Sequence, residues 1–155
     1  MKIFFITVSF AVATFSASAQ NNLYQNIKKL INETHSEIST ENKLIAFNIW
    51  SLDNLESRET NKQFEKAYSV YESSFLKGGR NGLIVVSINK NNLSSPALVT
   101  YAKDGITKTI PFKLSDFEDL DTSITNAVFD SNGGGVYQNL SSQNVLGSIH
   151  HLITR

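Results

Sequence analysis

Residues 43–59 read Lys-Leu-Ile-Ala-Phe-Asn-Ile-Trp-Ser-Leu-Asp-Asn-Leu-Glu-Ser-Arg-Glu, and this stretch decides the fold. Leu44 to Trp50 is a compact apolar run, the pattern of a strand buried on both faces. Asp53 and Glu56 stand three apart just after it, as a helix-capping pair would. A helical stripe of Phe64, Ala67, Tyr68, Tyr71 and Phe75 follows, and Gly78-Gly79 supplies a left-handed stop. The segment therefore predicts a buried strand that turns sharply into a long helix.

Outward from there, helices and strands alternate. Leu23, Ile27, Leu30, Ile31, Thr34 and Ile38 predict an amphipathic helix over 22–38. Leu83 to Ile88 predicts a second buried strand. Ser94-Ser95-Pro96 opens a short helix ending near Asp104-Gly105. Thr107 to Asp121 reads as irregular or partly extended. Ile124 to Phe129 and Val136 to Asn139 predict a hairpin around Gly133-Gly134-Gly135, and Ser141 or Ser142 caps a last helix carrying Val145, Ile149 and Leu152. The order α-β-α-β-α-β-β-α implies an α/β domain with a central mixed sheet of four strands flanked by helices.

The first 19 residues read as an export signal rather than as part of this domain. Lys2 gives a positive start, Ile3 to Phe15 is almost wholly apolar, and Ala17-Ser18-Ala19 is a small-residue cleavage site. The run is shorter than the roughly 20 apolar residues that span a bilayer. Residues 1–19 are thus expected to be a signal peptide, 20–42 an N-terminal helix and 43–155 the domain. The mature protein is expected to be periplasmic or secreted, with no membrane anchor left after cleavage.

Composition excludes several chemistries. The chain has 155 residues, 41% of them hydrophobic, which is enough for one core without staples. Its 14 basic and 14 acidic residues cancel, so no net field favours nucleic acid. There is no cysteine and there are only 3 histidines, so disulfides, thiolate nucleophiles and Cys-type zinc sites are out and a His-rich metal site is not expected. Asp130-x-Asn132-Gly133 begins like a calcium loop, but Gly134 and Ser141 stand where ligands are needed, so it reads as a glycine turn. Glu118, Asp119 and Asp121 form a solvated acidic cluster. Gly78 to Gly82 follows a helix instead of opening one, which does not suit a phosphate. His150 and His151 are adjacent and diverge on a helix. No cofactor and no metal are expected.

The 43–59 stretch resembles the exported thioredoxin-like proteins related to cytochrome-maturation reductases and peroxiredoxins, the redoxins. Their first strand runs into a loop of the form V-N-F-W-A-x-W-C-x-x-C-R-x-E. Phe47-Asn48-Ile49-Trp50 matches the strand end, and Asn54-Leu55-Glu56-Ser57-Arg58 lies on C-x-x-C-R. Val128-Phe129-Asp130-Ser131-Asn132-Gly133 resembles the family's L-I-D-x-x-G hairpin, and the likeness covers about 43–150. It implies a thioredoxin-like fold. It also implies that Asn54 and Ser57 stand where the redox cysteines would be, and Ile124 where the family's cis-proline would be. A cis bond before a non-proline costs about 2.5–4 kcal/mol, so a trans bond is expected. Asparagine cannot ionise and a serine hydroxyl is too basic to attack a disulfide, so thiol–disulfide exchange and thiol peroxidase chemistry are excluded.

What the resemblance leaves is a redox-inactive binding module for an unidentified protein or peptide. Its expected edge is Trp50, Asn54, Ser57, Arg58, Ser123 and Thr125, with Ile124 in the adjoining loop. One alternative is a non-thiol enzyme built on Ser57, which would need His35, His150, His151 or a carboxylate beside it. The other is a purely structural role.

Overall fold

The computed structural model describes residues 9–76, 80–118, 120 and 122–153, with 9–20, 76, 80 and 81 as backbone only. Residues 1–8 of the expected export signal, Gly78-Gly79, Asp119 and Asp121 therefore lie outside what is described.

The elements run α1 (Ser9–Thr34), β1 (Leu44–Trp50), α2 (Leu55–Tyr71), β2 (Phe75–Leu76), β3 (Arg80–Asn81), β4 (Leu83–Asn89), α3 (Ser95–Lys103), β5 (Ile110–Lys113), a 3-10 turn (Leu114–Asp116), β6 (Asn126–Phe129), β7 (Gly135–Gln138) and α4 (Ser142–His150). The main sheet has five strands in the order β5-β4-β1-β6-β7. β1 pairs parallel with β4 and antiparallel with β6, and β4 pairs parallel with β5.

Alternation sorts the sheet's side chains onto two cores. Ile45, Phe47, Ile49, Ile84, Val86, Ile88 and Phe129 face α1, which covers them with Leu23, Tyr24, Ile27 and Ile31. Leu44, Ala46, Leu83, Val85 and Val128 face α2 and α4, against Phe64, Ala67, Tyr68, Val145 and Ile149. β1 and β4 are buried along their whole length, as their unbroken apolar runs predicted.

Four expectations are corrected. The sheet has five strands, because Ile110–Lys113 inside the stretch read as irregular pairs with β4 from Val86↔Ile110 to Asn89↔Lys113. The helix expected over 22–38 ends at Thr34, whose hydroxyl turns back to the Leu30 carbonyl at 2.6 Å; Ile38 still packs on the core, from the following turn. α2 stops at Tyr71, short of Gly78-Gly79: Glu72 caps it, and the chain turns into the β2–β3 hairpin, leaving Phe75 71% exposed. Gly82 makes that return possible. It sits at φ +89°, and a Cβ there would lie 1.9 Å from the Glu72 carbonyl oxygen. Lastly, the α2 cap is Asn54 rather than Asp53, with Asn54 Oδ1 accepting from Ser57 N at 2.8 Å.

One buried carboxylate fixes the edge strand to α2. Glu65 is 7% exposed. Its two oxygens accept from Thr107 N and Oγ1, Lys108 N, and Thr109 N and Oγ1, all between 2.6 and 2.9 Å. Burial pushes its pKa up, but the Thr109 hydroxyl and the three backbone N–H groups outweigh burial and hold it below the ordinary glutamate value. Glutamine cannot replace it, since its amide would turn an N–H toward other N–H donors. Glu65→Gln is expected to cost about 2–4 kcal/mol at neutral pH, read by urea unfolding. Because the folded pKa is depressed, this contribution is present above about pH 4.3, the unfolded glutamate value, and is lost as pH falls through the folded value. The gap between wild type and variant should therefore close in acid. A gap unchanged from pH 7 to pH 3 would contradict the assignment.

Candidate functional site

A row of polar residues crosses the otherwise apolar sheet. Asn48 on β1 is in register with Ser87 on β4 and with Asn126 on β6, and all three are buried. Buried polar groups need partners, and these find theirs in the helices above. Asn48 Nδ2 donates to the Ser57 carbonyl at 2.9 Å and to Asn61 Oδ1 at 3.0 Å. Asn61 Nδ2 donates to Ser87 Oγ at 2.9 Å. Asn126 grips Leu140 at both ends, with Nδ2 donating to its carbonyl at 3.0 Å and Oδ1 accepting from its N–H at 2.8 Å. The row thus fixes the first turn of α2 on one side and the entry to α4 on the other.

Between those anchors opens a cleft of about 320 Å³. Asn48, Ile49 and Ser51 line it from the end of β1, and Asn54, Glu56, Ser57 and Thr60 from α2. Lys90, Thr125, Asn126 and the turn Asn139–Ser141 close the other walls. Glu56 Oε1 accepts from Ser142 N at 2.8 Å, so the carboxylate expected to cap α2 satisfies the N-terminus of α4 instead.

The cleft unites part of the predicted edge. Asn54, Ser57 and Thr125 line it. Trp50 does not, being 1% exposed with its ring 5.7 Å from that of Tyr101 on α3. Arg58 does not line it either. Its guanidinium makes two bonds, of 2.9 and 2.8 Å, to Asp104 at the end of α3. Hydrogen bonding from Arg58 holds the Asp104 carboxyl below the usual aspartate range. Ser123 is absent from the lining, and its carbonyl faces Asn139 Nδ2 at 3.5 Å. The Ser123–Ile124 bond is trans, as expected, and Ile124 packs on the α1-side core. The loop edge is filled from within the fold. Asn139, at φ +47°, places Oδ1 on Thr125 N at 2.8 Å, and Thr125 O accepts from Ile49 N.

Ser57 is not set up as a nucleophile. Its hydroxyl donates to the Asn54 carbonyl at 2.9 Å and accepts from Ser51 N at 3.3 Å. His150 shares a 2.8 Å bond with the Tyr71 hydroxyl, and His35 lies 3.5 Å from Glu37. No histidine lines the cleft, and Glu56 is engaged with α4. Asp130 Oδ1 accepts from Asn132 N and Gly134 N, the tight turn expected there.

Sequence reasoning missed Asn48 as a site residue, together with Thr60, Lys90, Asn139 and Ser141. A usable signal existed: Asn48 is the lone polar residue of β1 and Ser87 interrupts the apolar run of β4, and the two fall in register.

No family model matches the chain, and no curated protein matches it. Solved structures do. The thioredoxin domain of a thiol-disulfide oxidoreductase from Bacteroides vulgatus superposes with TM-score 0.55 at 10% identity, over 74% of this chain and 81% of that one. A thioredoxin-like protein from Parabacteroides distasonis gives TM-score 0.51 at 14% identity, over 70% and 80%. A secreted thiol-disulfide isomerase from Corynebacterium glutamicum gives TM-score 0.51 at 17% identity, over 72% and 71%. The fold is α/β and thioredoxin-like, and this chain carries no cysteine on it.

The geometry at Asn54 still suits a thiolate. An acceptor there receives the Ser57 N–H at the positive end of a 17-residue helix. The thiol introduced by Asn54→Cys is therefore expected to titrate at about 7.5 or below, against about 8.5 for free cysteine. The pH dependence of its alkylation by iodoacetamide measures this. A value of 8.5 or higher would mean that position 54 is not the helix-terminal site described.

Proposed function

We propose that this chain is an exported, redox-inactive thioredoxin-like protein that binds an extended protein or peptide segment at the cleft between α2 and the 139–141 turn. The observation that carries the reading is the cleft itself, which opens where Asn54 and Ser57 occupy the paired positions of the C-x-x-C resemblance. Its neighbours in fold are named for thiol–disulfide chemistry, and without thiols such a scaffold keeps only its binding surface. Leu55, 75% exposed beside the lining residues, offers a partner apolar contact at the mouth. Export is supported by the layout of residues 1–19 and by one fold neighbour named as secreted. No helix among the described residues is long and apolar enough to cross a membrane.

Two measurements test this. The N-terminus of protein recovered from the periplasm or medium should begin at Gln20; protein retained in the cytoplasm with Met1 intact would remove the export claim. For binding, arrays of extended peptides are compared on wild type and on Lys90→Glu/Ser141→Arg. Lys90 makes no side-chain ion pair among the described residues, and Ser141 makes no side-chain cap bond, so the fold should tolerate the change. Binding should fall by about tenfold or more. Equal binding by both proteins would discard the cleft.

A further inference from the structure

Two lining residues of the cleft present to it oxygens that the fold does not use. Asn48 is 1% exposed and Thr60 is 2% exposed. Asn48 spends its Nδ2 on Ser57 and Asn61, while its Oδ1 has no hydrogen-bond partner among the described residues. The Thr60 hydroxyl has none either. This is unusual for a helical threonine, whose hydroxyl readily bonds the carbonyl one turn back, as Thr34 does to Leu30. Both line the same cleft, and the residues that Asn48 bonds, Ser57 and Asn61, stand on either side of Thr60 along α2. Neither oxygen is a buried atom left without a partner, which among the described residues are Trp50 Nε1 and Asn89 Nδ2, so both open onto the cleft and are available to what enters it.

We infer that the cleft selects a neutral carboxamide, the side chain of glutamine or asparagine on an extended peptide; this rests on the peptide-binding reading above. The walls set the class. Asn48 Oδ1 accepts only, so it wants an N–H. The Thr60 hydroxyl can donate, so it serves a carbonyl. A carboxamide carries both groups on one carbon. A carboxylate would meet Asn48 Oδ1 with no proton to offer and an ammonium would meet the Thr60 hydroxyl with no acceptor to offer, while the opposite charges of Glu56 and Lys90 on the lining favour neither ion.

The test uses N-acetyl-glutamine methylamide, with the matching glutamate and methionine compounds, titrated into the isotope-labelled full chain and followed by NMR. The glutamine probe should move the Asn48 side-chain amide and the Ser57 and Thr60 backbone signals, binding about tenfold more tightly than either of the others. Thr60→Val, which removes only the unused hydroxyl, should fold with equal or higher thermal stability and lose the glutamine preference, while Thr60→Ser should keep it. Equal binding of the three probes in the cleft would overturn the carboxamide assignment and leave peptide binding standing. Failure of all three to move any cleft signal would overturn both. A preference that survives in Thr60→Val would overturn the role given to its hydroxyl.

Discussion

The arrangement of this molecule depends on one constraint: the central strand β1 is buried from end to end. It has a paired neighbour on each edge, helix α1 over one face and α2 with α4 over the other. A polar group on such a strand is costly unless it finds a partner inside the protein; Asn48 Nδ2 finds two, whereas Trp50 Nε1 has none among the described residues. Asn48, with Ser87 and Asn126 beside it, therefore dictates where the helices lie. Its bonds to Ser57 and Asn61 fix the rotation and height of α2, and Asn126 does the same for the turn into α4. An apolar row would have allowed the helices to slide. The polar row gives them one register, and the cleft is the space left between two helix starts held at fixed distances from one strand.

A second polar system works from the sheet's other side of α2. Glu65 gathers Thr107, Lys108 and Thr109, and Tyr101 donates to the Thr109 carbonyl at 2.8 Å. Arg58 and Asp104 join the start of α2 to the end of α3. Helix α2 is thus tied at its first turn, middle and inner face by groups from four other segments. That rigidity explains how the strand-to-helix junction keeps its shape with no sulfur present. Asn54 Oδ1 supplies the acceptor for Ser57 N, so the helix start is satisfied by a neutral side chain.

What could be read from the sequence follows from the range of each interaction. The strands at 44–50 and 83–89 and the stripe Phe64-Ala67-Tyr68 are legible because burial writes a period into neighbouring residues. Ile-Pro-Phe-Lys was read as irregular because four residues with a proline carry too little period; only pairing with β4 makes them a strand. Phe75 continues the α2 stripe by spacing, yet the chain leaves the helix before it to form a two-residue strand that no periodicity can announce. At the site, a cap at the start of α2 is legible because it is a local bond, although the spacing points to Asp53 and the structure uses Asn54. Trp50 and Arg58 were not placed correctly because their partners, Tyr101 and Asp104, lie some fifty positions along the chain and arrive by packing.

The same distinction separates structure from function within the cleft. Asn61, Ser87 and Asn126 each have a hydrogen-bond partner within the fold, and stability alone accounts for them. Thr60 and the oxygen of Asn48 are different, since neither has a protein partner among the described residues and both residues line the open cleft. No bond that holds the fold together uses the Thr60 hydroxyl or Asn48 Oδ1, which leaves both open to what enters the cleft. On the proposal above, the cleft at the start of α2 is therefore a site with its own chemistry.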